Sequence, residues 1–458
     1  MKSETMHGID VRKLVDEARF NGFHRSVLLW CSVILVLDGY DLAVAGTALP
    51  SIMRAMNVEA ATAGLMASSA LFGMMFGAIV LGALADKIGR RLAISICVFL
   101  FTVFTAAAGF TNDPITFSVT RFLAGLGIGG AIPNAAAQMT EYSPKKVRGL
   151  MVTLMCCGYA IGSSLAALLG KQFIEIYGWQ SVFIAAGAPV VLIPFIVNYM
   201  PESLPFLIKQ HDDTQLREVV RKIRPDIRIE PHEVFHVPAE DKVPAEDKAL
   251  GPTIGRLFLE GRGFSSVMLW LAFMTCLFML YALSSWLVKL MGMAGYSLGS
   301  ALNFLLVYNA GAVVGAIGGG WLADKLNIQW VTTGFFAVAA VSLTLLGNGA
   351  RPLFLIVAVV GASTLGTQIL LYAYAGQFYS TSIRSTGLGF ASGLGRIGAI
   401  AAPIVIGVLV SMKLPLVQNF LAIAMAAVIG GVAVALIKDK SSAFSHSHDA
   451  STVGQQRP

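Results

Sequence analysis

The stretch GALADKIGRR (Gly82–Arg91) decides how the chain is read, because its core LADK returns 238 residues later in GGWLADKLNI (Gly319–Ile328), in both places with Gly four residues before Asp. Each copy closes an apolar run of about 20 residues, the length that crosses a bilayer as one helix. A second correspondence lies further along each half: Glu141 and Arg148 match Gln377 and Arg384, 236 residues apart. Two similar offsets describe a chain built from two parallel halves. The second copy is degraded, with Asn327 where Gly89 stands and Ile328 where Arg90 stands.

Outward from these anchors, apolar runs predict twelve spanning helices. The first six cover 27–49, 62–85, 92–110, 115–139, 149–170 and 180–200; the second six cover 264–288, 298–322, 330–348, 353–376, 386–411 and 416–437. The fold class is therefore all-α integral membrane, two pseudo-symmetric six-helix bundles spanning 27–200 and 263–437. Segment 1–26 reads as a cytoplasmic N-terminal segment, 201–262 as a flexible cytoplasmic linker containing the repeat VPAEDKVPAEDK, and 438–458 as a disordered cytoplasmic tail. Composition agrees: 56% of residues are apolar, 13% are charged, and mean hydropathy is +0.71. Soluble domains carry about 25% charged residues.

Lys and Arg set the orientation. One side carries Lys2, Arg12, Lys13, Arg19, Arg25, Lys87, Arg90, Arg91, Lys145, Lys146 and Arg148, whereas the other carries only Arg54, Lys171, Lys289, Arg351 and Lys413. Both termini are expected in the cytoplasm of a cell with the chain in its inner membrane. The net charge of +7 is a topology signal rather than a nucleic-acid footprint. Five Cys lie in apolar segments without a CxxC pair and read as small buried hydrophobes; no metal site is expected. No GxxxxGK[ST] occurs, which excludes a nucleotide-driven pump of the P-loop type. Parallel halves of six helices are a signature of secondary transporters, with a site near the midplane between them.

The next informative stretch is VILVLDGYDLAVAG (Val33–Gly46), which buries Asp38 and Asp41 in span 1. A carboxylate at the centre of a spanning helix costs roughly 2.5–3.5 kcal/mol on insertion scales. Two within one turn call for a function. All seven His lie outside the spans, so the acidic groups available for carrying a proton are Asp38, Asp41 and Glu141, the last near the cytoplasmic end of span 4. A carboxyl group removed from water holds its proton more tightly, and a neighbouring carboxylate adds to that. At i and i+3 both were expected to look into one cavity.

Two Arg are intramembrane, Arg121 in span 4 and Arg396 in span 11. Counting about 1.5 Å per residue puts all four charges in one layer slightly outward of centre. A guanidinium fork matches a carboxylate in two parallel hydrogen bonds. Arg396, among small residues, is the first candidate for an anion contact; Arg121 is the second, or a partner for an Asp of span 1. Gly39 leaves helix surface open for a ligand on this reading, and Tyr40, Tyr281 and Tyr308 offer rings for stacking. Shifting by the repeat offset puts uncharged residues opposite Asp38 and Asp41, and Ala160 opposite Arg396.

Twelve spans, a long central loop, G-x-L-A-D-x-x-G-R-R after span 2, Arg121-x-x-x-Gly125 and Pro201-Glu202-Ser203 together resemble the major facilitator superfamily over essentially the whole chain. Within it, the D-G-x-D of Asp38–Asp41 resembles the aromatic acid:proton symporters, the family of benzoate and 4-hydroxybenzoate carriers, and FNGFH (Phe20–His24) is most similar to the benzoate transporters of that group. The resemblance implies uptake of a small aromatic carboxylate with a proton by alternating access. It implies no enzyme activity and no cofactor beyond the proton gradient. Expected partners are the aromatic acid, protons and membrane lipid, but no nucleic acid, for a functional monomer. It also implies gating groups at the LADK loops, namely Asp86, Gly89, Arg90, Asp324 and Arg384, which latch the halves when the carrier faces outward. Rival readings are a proton antiporter exporting drugs, whose cations would meet Asp38 and Asp41 directly, and a membrane-embedded ligand sensor.

Overall fold

A computed structural model describes residues 9–210, 212–225, 235–236, 263–379 and 383–438. Among these, twelve helices are long and apolar enough to span a membrane. Spans 1 to 6 are Gly22–Ala55, Ala60–Ile88, Arg90–Ala108, Pro114–Tyr142, Arg148–Tyr177 and Gln180–Tyr199. Spans 7 to 12 are Gly263–Met293, Leu298–Lys325, Ile328–Gly347, Leu353–Phe378, Arg384–Ser411 and Leu416–Ala435.

The halves repeat one packing plan. Spans 2 and 4, and spans 1 and 5, are the principal neighbours in the first bundle; spans 8 and 10, and 7 and 11, are their counterparts in the second. Lipid offers no hydrophobic drive for such pairs, so close approach of small residues has to hold them. A Cβ on Gly162 would lie 1.9 Å from the Val36 carbonyl oxygen, and one on Gly39 2.2 Å from that of Tyr159. Backbone therefore touches backbone along spans 1 and 5. The surface beside Gly39 is filled by span 5, which overturns its reading as open space for a ligand.

Span 1 starts five residues before its expected first turn and ends six residues after its expected last one. Asn21 explains the early start. Its side-chain oxygen accepts from the N–H groups of Phe23 (3.0 Å) and His24 (3.3 Å), while His24 Nδ1 accepts from Asn21 N–H at 3.2 Å. This reciprocal cap satisfies N–H groups that a helix start leaves orphaned. Span 6 is interrupted: helix Gln180–Ala185, a 3-10 turn Ala188–Leu192 and helix Ile193–Tyr199 follow one another. Pro189 and Pro194 lack the N–H that a continuous helix would need.

The central segment departs from its reading as a linker without a core. Helices Leu204–Lys209 and Asp213–Ile223 bury Leu204, Leu207, Leu216, Val219, Val220 and Ile223 together with Val11, Leu14 and Val15 of the helix Val11–Asp16. The Asn21 amide donates to the carbonyls of Lys222 (3.0 Å) and Ile223 (3.1 Å), tying this layer to the start of span 1. Arg148 pairs with Asp16. Ile9–Asp10 pairs in parallel with Phe235–His236, the single strand pairing among the described residues. The VPAEDKVPAEDK repeat and the tail 439–458 lie outside the described residues.

The bundles meet through spans 2 and 11, 5 and 8, and 1 and 7. Their polar contacts run from mid-depth to the face away from Arg90: Ser68 Oγ donates to the Ile400 carbonyl (2.9 Å), Asn309 Nδ2 to Ser163 Oγ (2.9 Å) and Lys171 Nζ to Asn303 Oδ1 (3.1 Å). Gly46 against Ser284 and Gly64 against Pro403 bring backbones into contact on that same side. The structure is thus shut at the far face.

Candidate functional site

The four intramembrane charges divide into two sites. Asp41 turns into the first bundle, where it forms an ion pair with Arg121, both about 1% exposed. Thr105 of span 3 donates to Asp41 Oδ1 at 2.6 Å, and Arg121 also donates to Thr105 Oγ1 (2.7 Å) and to the Asp41 carbonyl (3.0 Å). The guanidinium lies 5.8 Å from the centroid of the Phe183 ring. Arg121 is therefore enclosed by Asp41, Thr105 and span 6, and is absent from the wall of the central cavity. That removes the geometric basis for Arg121 as a substrate contact. Tyr40 belongs to the same interior, its hydroxyl donating to the Val182 carbonyl at 2.8 Å, so its ring is not offered to a ligand in the central cavity.

Asp38 behaves differently. It is 0% exposed, and neither carboxylate oxygen has a hydrogen-bond partner among the described residues. Its electrostatic neighbours are Asp41 and, from the other bundle, Arg396. Asp38 and Arg396 form no ion pair within 4.0 Å. The two carboxylates thus do not share one cavity as expected. Residues i and i+3 point roughly 60° apart around a helix, enough for Asp41 to meet Arg121 while Asp38 stays unbonded, with Cys97 of span 3 and Arg396 of the other bundle among its neighbours and neither carboxylate lining the cavity beside Arg396.

Arg396 lines a cavity of about 240 Å³ between the bundles. Its guanidinium also lies against the Tyr281 hydroxyl and 3.9 Å from Met74 Sδ of the first bundle. The remaining wall is largely apolar, with Tyr159, Tyr372 and Gln368 as further polar groups. A small, mostly apolar cavity with few polar groups and one cation fits a flat anion with a single charged end. Thr153, five residues into span 5 from the Arg148 end, lines it as well, so the cavity extends toward the Arg90 face. Tyr308 lies outside it, its hydroxyl bonded to Thr364 Oγ1 at 3.0 Å. Sequence reasoning missed Thr105, Tyr159, Gln368 and Tyr372. Gln368 and Tyr372 carried a usable signal, being polar, mid-span and four residues apart on one helix face.

Glu141 was read as a third proton carrier. It sits about 30 Å along span 4 from Arg121, pairs with Arg90 and accepts from Ser203 Oγ at 3.0 Å. It belongs to a charge cluster at the Arg90 face. There Glu202 accepts from the N–H groups of Arg91 (3.2 Å) and Ser203 (2.9 Å), and the Tyr142 hydroxyl donates to the Glu202 carbonyl. The cluster lies within the first bundle. Arg90 is therefore not a contact between halves in this state, and its expected place in the latch concerns the outward-facing one. Asp86 and Asp324 are exposed and form no salt bridge among the described residues; the Arg384 side chain is not among those described.

Gly89 joins spans 2 and 3 at φ +90°, and a Cβ there would come 2.6 Å from Glu202 Oε2. Its counterpart Asn327 has φ −61° and caps span 9 by accepting from the Gln329 N–H at 2.9 Å, so the second half needs no glycine. Gly89→Ala is expected to destabilise the fold by about 1–3 kcal/mol, from backbone strain and displacement of Glu202. A melting temperature in detergent equal to that of the unsubstituted protein would refute this.

Two six-helix bundles that meet around a mid-depth cavity define a membrane carrier of the secondary-transporter class. The chain belongs to the major facilitator superfamily, whose sequence pattern matches residues 31–403. It is 41% identical over 439 residues to a benzoate transport protein of Acinetobacter baylyi, covering 94% of this chain and 93% of that one. It is 32% identical over 397 residues to a 4-hydroxybenzoate transporter of the same organism, covering 86% of each. The xylose transporter of E. coli, in a partially occluded inward open conformation, superposes with a TM-score of 0.69 at 15% identity, covering 91% of this chain and all of that one. The chain is a multi-pass membrane transporter and not an enzyme.

Proposed function

We propose that the protein takes up a small aromatic carboxylate, benzoate or a hydroxybenzoate first, together with a proton across the inner membrane, with its termini and the Arg90 face in the cytoplasm. The observation that carries this is Arg396 beside the tyrosine-lined cavity, with the unbonded carboxyl of Asp38 across the seam. Arg396 takes the substrate carboxylate and Asp38 takes the proton. An anion and a proton entering together leave the charge balance of the site unchanged, which favours symport. The substrate class also draws on the relatives named for benzoate and 4-hydroxybenzoate transport. With the far face shut, this conformation is the cytoplasm-facing one, and the latch through Asp86, Asp324 and Arg384 is a feature of the opposite state.

Proteoliposomes holding the full chain should accumulate labelled benzoate only under an inward proton gradient, and a protonophore should release it. Accumulation indifferent to the gradient would remove the proton; binding without accumulation would favour a sensor. Arg396→Lys keeps the charge but loses the fork. Its KM for benzoate should rise about tenfold, equivalent to about 1.4 kcal/mol. An unchanged KM would move the anion contact elsewhere.

A further inference from the structure

At the face away from Arg90 lies a second cavity, about 690 Å³, between the ends of spans 1, 5 and 7 and the start of span 8. It has no part in the site described above. Spans 1 and 7 come together at Gly46 and Ser284, and beyond that contact Arg54 and Lys289 emerge into the cavity from opposite bundles. The two charges act on each other electrostatically. Neither has a carboxylate within 4.0 Å among the described residues. Arg54 is exposed, and its Nε donates to the Pro50 carbonyl at 3.3 Å, so its guanidinium keeps further N–H groups free for an anion. Glu175, the one acidic residue lining the cavity, is exposed and forms no ion pair there.

Lys289 is half-buried in the seam and Arg54 is exposed, so solvent screens part of their repulsion and an anion between them is drawn to both charges. Span 8 also begins at this cavity, with Ser297 as its cap, so the positive end of a 28-residue helix adds to the field. Tyr296, about 41% exposed, offers a ring at the rim. Two cations, a helix start and an exposed aromatic ring fit the same ligand chemistry as the central site: a carboxylate on a flat ring.

We propose that this cavity is an outer binding site for the transported carboxylate, held between Arg54 of one bundle and Lys289 of the other while the far face is shut. The proposal rests on the substrate being an aromatic carboxylate. Because the two cations belong to different bundles, their repulsion is greatest in the shut state, and a bound anion offsets it there. Such a site raises the local concentration of substrate where it enters, an effect that weakens with salt.

The first test reads the site without transport. A membrane-impermeant amine-reactive ester is applied to the full chain, and Lys289 modification is quantified by mass spectrometry. Benzoate should slow labelling several-fold, and neutral benzamide should not. Protection should persist in Arg396→Lys and disappear in Arg54→Gln. Equal labelling with and without benzoate would overturn the proposal, as would protection lost in Arg396→Lys. The second test is directional. R54Q/K289Q should raise the KM for uptake about fivefold and flatten its dependence on ionic strength, while efflux from loaded vesicles, which starts at the other face, stays unchanged. Lys413→Gln, outside the cavity, is the control. Equal losses in both directions, or wild-type uptake, would overturn it. Protection of Lys289 stands apart from proton coupling, so failed accumulation by the unsubstituted chain would count against the proposed symport alone.

Discussion

Asp38→Asn is expected to abolish gradient-driven accumulation of benzoate, lowering it at least 100-fold, while the protein folds normally and still exchanges substrate across the membrane. The two side chains are nearly isosteric, and Asp38 makes no hydrogen bond among the described residues that Asn would break. The substitution fixes a neutral group where a proton has to come and go. Exchange of labelled for unlabelled substrate needs no net proton movement, so counterflow should survive. Uptake against a gradient, counterflow and melting temperature, measured on one preparation, decide the matter. Normal accumulation would exclude Asp38 as the proton carrier, and lost counterflow would make it a binding group instead.

Asp41→Asn should fail in another way, by destabilising the protein. Arg121 is enclosed, and its counter-charge is Asp41. Removing one member of a buried ion pair strands the other, typically at about 3–5 kcal/mol. A sharp fall in melting temperature and in yield of monodisperse protein is expected. The double substitution D41N/R121M should regain most of the loss, since replacing both charges by neutral groups of similar size is often tolerated. A single variant as stable as the starting protein would mean that Asp41 is not the anchor of Arg121. The two Asp residues, alike in sequence, thus separate by assay: one through coupling, the other through stability.

Much of this architecture was legible in the residues. Twelve apolar runs and the repeated LADK lead directly to two bundles, and shared depth groups two Asp and two Arg in one layer, of which Arg396 lines the cavity between the bundles while Asp41 and Arg121 are sealed inside the first. The pairing of Arg121 with an Asp of span 1 followed from their shared depth together with the family resemblance, which implies that spans 1 and 4 are neighbours. What sequence left open was direction around a helix. Asp38 and Asp41 share a face to within about 60°, and only the positions of spans 3, 4 and 11 decide which of them meets Arg121. Gly39 shows the same ambiguity. A helical glycine marks either open space or a backbone in contact, and Gly158 and Gly162 of span 5 make it the second. The central segment was misread for a different reason. Leu216, Val219, Val220 and Ile223 have helical spacing, yet the charged repeat nearby set the composition of the whole window.

The contacts that shut the far face bear on energetics. Backbone touches backbone both inside the first bundle, at Gly39 and Gly162, and across the seam, at Gly46 and Gly64. Between bundles, the closure includes four hydrogen bonds, one of them between Tyr159 and Ser284, together with glycine contacts. In membrane helices such bonds are worth about 0.6 kcal/mol on average. Bonds of that size do not lock the shut face, and a carrier whose two orientations differ by a few kcal/mol keeps the minor state populated at about 0.1–10%. Moving such a balance from 1:99 to 99:1 takes about 5.5 kcal/mol of differential binding. One bidentate carboxylate contact and one proton, each favouring one orientation, are of the right size to tip it. The carrier then works as a two-position balance, with its occupants as the weights.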